Sequence, residues 1–84
     1  MEKIIGKVTH FYDKICVAII TLDDDLSCGD EVHFLDNQRG IDFKQKVDSM
    51  QINHQEINSG KKGMAVGVKT AQPVKVGTPV FKES

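Results

Sequence analysis

Four lysines stand in two close pairs, Lys44 with Lys46 and Lys61 with Lys62. They are the side chains of this chain best suited to meet a phosphate backbone. Each ammonium that displaces a counterion from a nucleic acid adds affinity that is blind to sequence and falls with salt. His54 opens a polar stretch between the two pairs and joins them as a candidate RNA contact. The same lysines also suit an ordinary solvated surface, since scattered charge is normal there. No basic run of five or more occurs, and Phe11, Tyr12, Phe34, Phe43 and Phe81 lack the spacing of a base-stacking platform.

Other residues that could do chemistry are sparse. His10, His33, His54, Cys16 and Cys28 could ligate a metal in principle, but they form no C-x-x-C and no H-x-x-x-H. Cys28 with His33 is the nearest pairing, while Cys16 is expected as a small core residue. Asp23, Asp24 and Asp25 form a charge run without the spaced oxygen ligands of an EF-hand, so a solvated turn is expected there. Ser27, Ser49, Ser59 and Ser84 have no recognisable nucleophile context. The reading is therefore non-enzymatic, with no cofactor and no metal.

The elements that must position these groups read as short strands. "KIIGKVTHF" (3–11) is rich in β-branched residues, and "KICVAIITL" (14–22) is apolar on both faces, as expected of a strand covered on both sides. An acidic turn, Gly29 and a strand over 31–35 follow, then a loop over 36–42. "FKQKVDSMQIN" (43–53) alternates with one phase slip, which predicts a β-bulge at Asp48–Ser49. Residues 54–63 read as a polar connector, 64–70 as a strand containing Gly67, and 74–82 as a turn at Gly77 followed by a last strand. The fold expected is all-β, a small closed six- or seven-stranded β-barrel, with residues 1–84 forming one domain.

Composition agrees with a folded domain. The 84 residues are 39% hydrophobic and 27% charged, which is too apolar for disorder. No apolar run reaches the roughly 20 residues of a membrane helix, and the N-terminal residues lack a signal-peptide layout, so a cytoplasmic protein with no membrane contact is expected. Residues 1–38 carry three basic against eight acidic groups, and residues 39–84 carry eight against four. A barrel that mixes distant strands would even out this asymmetry.

Three stretches carry a resemblance to a known family: "GKVTHFYDKICVAIITLDDDLSCGDEVHFL", "VDSMQINHQEINSGKKG" and "GMAVGVKTAQPVKVGTPVF". Over about residues 3 to 82 they resemble the β-barrel second domain of translational GTPases such as elongation factor Tu and initiation factor 2. The resemblance implies a stand-alone, elongation-factor-like binding module associated with tRNA or ribosomal RNA. It implies no GTP chemistry, because no G-x-x-x-x-G-K-[ST] loop occurs. The chain departs from that pattern at Met64, where the family carries an acidic residue, and at Ala18, where it often carries glycine. Similar barrels also resemble accessory domains of other proteins, including collagenase-type peptidases. Two further functions thus stand beside RNA binding: a protein-interaction domain, and an accessory domain of an enzyme such as a peptidase or RNA-modifying enzyme.

Overall fold

A computed structural model describes residues 2–53 and 55–83. Ten strands account for most of them: β1 Glu2–Tyr12, β2 Val17–Leu22, β3 Leu26–Ser27, β4 Glu31–Asp36, β5 Ile41–Lys46, β6 Met50–Ile52, β7 Gln55–Ile57, β8 Ser59–Gly60, β9 Ala65–Lys69 and β10 Pro79–Glu83. One 3-10 turn, Asn37–Arg39, is capped by Asp36 and ends at Gly40 in the left-handed region.

Eight strands form one antiparallel sheet in the order β5-β4-β10-β1-β2-β9-β6-β7, and β3 pairs with β8 separately. The chain's first and last strands are thus neighbours near the middle of the sheet. β1 is long enough to serve two partners, β10 along Glu2–Lys7 and β2 along Gly6–Tyr12. Its register shifts between Ile4 and Gly6 and again between Val8 and His10, and such bulges bend a strand and curl the sheet. Gly6 sits where the two ladders meet; a β-carbon there would lie 2.5 Å from the Thr21 carbonyl oxygen.

The curled sheet buries one face. Ile5, Val8, Ala18, Ile20, Leu22, Leu26, Val32, Phe34, Val47, Met50, Val66, Val68 and Val80 form a core in which Phe34, fully buried, is the largest side chain. Aliphatic alternation supplies it, as in β2, where Ala18, Ile20 and Leu22 are buried and Val17, Ile19 and Thr21 are half-exposed.

Four expectations need correction. The sheet is not closed into a barrel: its order ends at β5 and β7, and among the described residues no ladder joins those two edges. The phase slip at Asp48–Ser49 is not a bulge within one strand. The chain leaves the ladder after β5, and β6 joins the far side of the sheet beside β9. The 54–63 segment is more than a connector, because Ile57 packs on the core and buried Gly60 pairs with Leu26. Cys16 is not a core residue; it is half-buried in the β1–β2 turn, at φ 53°.

Where β5 passes the end of β9, a side chain takes the part of backbone rungs. The Gln45 carboxamide donates to the Lys69 carbonyl at 2.8 Å and accepts from the Ala71 N–H at 2.7 Å. An open cavity of about 340 Å³ lies along this seam, lined by Gln45, Lys46, Asp48, Ser49, Lys69, Thr70 and Ala71.

Candidate docking groove

At the outer face of β2 the pattern of the sequence and the packing disagree. Val17 and Ile19 make the strand apolar on its second face, yet among the described residues nothing covers them fully. Cross-strand pairing sets their neighbours: Tyr12 opposite Val17, His10 and Gly67 opposite Ile19 on either side, and Gln51 opposite Gly67. Together Tyr12, Ile15, Val17, Ile19, Gln51, Asn53 and Gly67 line an open groove of about 410 Å³.

Two large apolar side chains stand at its rim, Tyr12 at 47% exposure and Ile15 at 60%. Ile15 projects from the β1–β2 turn, which is closed by the Ile15 N–H donating to the Tyr12 carbonyl at 3.3 Å. The Tyr12 ring lies 4.6 Å from the His10 ring, centroid to centroid, and this contact braces that wall. The opposite wall is polar, formed by Gln51 and by Asn53 at φ 52°. Gly67 is the floor. A β-carbon there would meet Val17, Ile19 and the Gln51 carbonyl at 3.4 to 3.6 Å, ordinary contact distances, so its absence leaves depth without steric need. An apolar trough with a few amide groups on one wall is suited to hold side chains and backbone of a polypeptide.

Among the described residues no ladder joins the two lysine pairs expected to meet RNA. Lys44 and Lys46 alternate outward along β5, and the Lys44 ammonium lies 3.8 Å from Glu2 Oε2. The face they share also carries Glu31 and Asp42, as the register places Lys46 opposite Glu31 and Asp42 opposite Leu35. Lys61 and Lys62 form the turn after β8, whose ladder is with β3 and not with β5. That turn is held by Gly63 at φ 90°, whose N–H donates to the Leu22 carbonyl at 2.8 Å. His54 lies outside the described residues. Met64 is half-buried against the core, its sulfur accepting the Lys61 N–H at 3.2 Å, and Ala18 is buried opposite Val68.

The aspartate run is anchored as well as solvated. Asp24 pairs with Lys3 at 2.5 Å, and the Lys82 ammonium donates to the Asp25 carbonyl at 3.0 Å. The Lys3 hydrogen bond, then the Asp25 N–H, hold the Asp24 carboxyl below the usual 3.8. Among the described residues no three His, Cys, Asp or Glu side chains converge on a metal position. Cys28 and His33 face different partners: the thiol reaches the Ile57 carbonyl at 3.6 Å, and the imidazole reaches carboxylates. Among the described residues no helix is long and apolar enough to cross a membrane.

The groove was within reach of the sequence. Its signal is the doubly apolar run of β2, which reads as a strand covered on both faces, whereas the described residues leave Val17 and Ile19 half-exposed.

No protein-family model matches the chain. An uncharacterized protease of Methanocaldococcus jannaschii is 42% identical over 77 residues, which is 92% of this chain and 19% of that protein. The chain thus spans about a fifth of the length of this curated relative. In fold it is similar to the C-terminal domain of a Geobacillus thermoleovorans protein assigned to the U32 peptidases, with a TM-score of 0.87, 20% identity, and coverage of 95% of this chain and 91% of that one. The selenomethionine form of the same domain matches with a TM-score of 0.85 and 17% identity, covering 96% and 99%. These findings overturn the resemblance to the second domain of translational GTPases. The shared glycine, turn and core positions that carried it specify a small sheet of this shape, and that sheet is similar in fold to the C-terminal domain of the Geobacillus protein.

Proposed function

We propose that the chain is a non-catalytic accessory module of a U32-type peptidase, and that its β2 groove docks against the catalytic part of such a protein. The single observation that carries this reading is the uncovered second apolar face of β2, with Tyr12 and Ile15 exposed beside it. A strand apolar on both faces is stable in water only at a cost of about 25 cal/mol for each Å² of apolar surface left wet, and a partner removes that cost. The choice of partner is supported by the match to one-fifth of a protease, whose remaining four-fifths would be the surface such a module serves. Aromatic and aliphatic anchors seated in an apolar trough are the usual centre of a protein interface, and amides at the wall satisfy its polar groups.

The test uses the Methanocaldococcus protease lacking its matching 77 residues, titrated into the isotope-labelled chain and followed by amide resonances. Shifts are expected at Tyr12, Ile15, Val17, Ile19, Gln51 and Gly67, with little dependence on salt. Ile15→Ser is expected to weaken the complex about tenfold or more, as loss of an interface anchor does. A titration that leaves these resonances in place, while total tRNA moves those of Lys44, Lys46, Lys61 and Lys62 at low salt, would overturn the reading and restore an RNA module.

A further inference from the structure

His33 lies on β4 between two carboxylates, each on a different strand and each at a different ring nitrogen. Nδ1 stands 2.9 Å from both oxygens of Glu2, at the start of β1, and Nε2 stands 2.5 Å from Asp42 Oδ1 on β5. In sheet order β10 separates β4 from β1, so the contact spans four strands. The imidazole is mostly covered, at 12% side-chain exposure, and the Phe81 ring on β10 lies 6.4 Å away.

The hydrogen-bond inventory of the ring decides what this geometry means. Carboxylate oxygens only accept, so both ring nitrogens must donate, and only the imidazolium has two N–H groups. A neutral ring leaves one nitrogen lone pair facing a carboxylate oxygen, and one of the two contacts fails. We propose that His33 is a pH-operated clasp: protonated, it holds the edge strand β5 to β1 across the sheet, and neutral, it lets β5 loosen. β5 also carries Gln45, which closes the seam to β9, so the clasp and the seam act on the same strand.

The charges facing the ring from each packed strand are Glu2 on β1, Glu31 on β4, Asp42 and Lys44 on β5, and Glu83 on β10, with Lys46 opposite Glu31. Carboxylates outnumber lysines on this face, which favours the charged ring. The Asp42 hydrogen bond, then that of Glu2, raise His33 above its ordinary 6.5 against a smaller opposing effect of burial. The transition therefore lies above 6.5.

Ring and amide resonances followed from mildly acid to alkaline pH test this directly. The His33 ring is expected to titrate above 6.5, and the amides of Ile41, Phe43 and Gln45 to shift with the same midpoint. Asp42→Asn, at an exposed edge position, is expected to lower that midpoint, since it removes the largest cause that raises it. His33→Gln, which keeps a donor but cannot titrate, is expected to abolish the β5 response. A His33 midpoint at or below 6.5, or a β5 response that survives in His33→Gln, overturns the clasp.

Discussion

A single added methyl group separates three glycines of this chain. At Gly6 the β-carbon would meet the Thr21 carbonyl at 2.5 Å, and backbone cannot step aside. Gly6→Ala is expected to destabilise by about 1–3 kcal/mol, read from denaturant unfolding. Gly63 has open space but φ 90°, so Gly63→Ala is expected to cost about 1–3 kcal/mol through backbone strain alone. Gly67→Ala is expected to leave stability nearly unchanged and to make the groove shallower, so unfolding and docking measurements should part company there. Charged residues add a pH profile. The folded-state value of Asp24 is depressed, so its pairing with Lys3 contributes above 3.8 and is lost as pH falls below it. The folded-state value of His33 is raised, so its contribution is complete below 6.5 and is lost as pH rises through that higher value. Stability measured against pH is expected to decline on both sides, and Asp42→Asn to flatten only the alkaline side. An unchanged alkaline limb in that variant would show that the imidazole is not its source.

At the scale of elements, the seam tests how β5 is held. Gln45→Ala removes two hydrogen bonds at about 0.5–1.5 kcal/mol each and is expected to speed hydrogen exchange at the Ala71 amide. Phe34→Ala, by contrast, empties the centre of the core, where the ring stacks on Phe43 at 5.0 Å, and is expected to cost about 3–5 kcal/mol. Most strands were legible because β-branched runs and period-2 alternation are local. β1, β4, β9 and β10 fall within a residue of where the pattern placed them, and β2 starts three residues later, at Val17. β7 and β8 were not legible, since Gln55–Ile57 and Ser59–Gly60 are polar and short and become strands only through partners elsewhere in the chain. Barrel closure was misjudged for a related reason. Whether the last edges meet depends on the curl of the whole sheet and on one amide, Gln45, that looks like any exposed polar residue. The groove combines both cases: Val17 and Ile19 declared themselves, while Gln51 and Gly67 join them only by register. The lysine pairs show the reverse, neighbours in the sequence pattern that the ladders do not unite.

The whole molecule mixes its charge as it mixes its order. Strands of the acidic first half lie beside strands of the basic second half along β5-β4-β10-β1, at β2 with β9 and at β3 with β8, so the ladders interleave part of the asymmetry between halves. Such a surface predicts association governed by fit more than by long-range steering, and docking rates are expected to change little with ionic strength. The pairing of Glu2 with Glu83 has a different consequence, one for how such a unit can be moved about in evolution and in the laboratory. Directly paired antiparallel residues stand about 5 Å apart, so the entry and exit points of the fold form a doorway no wider than a tight loop. A short linker across it, with the chain reopened between Lys61 and Lys62, is expected to give a circular permutant with the same unfolding midpoint within a few degrees. A permutant that fails to fold would show that the order of the strands along the chain matters as well as their pairing. If it folds, the unit can be grafted into a host loop without prying that loop apart.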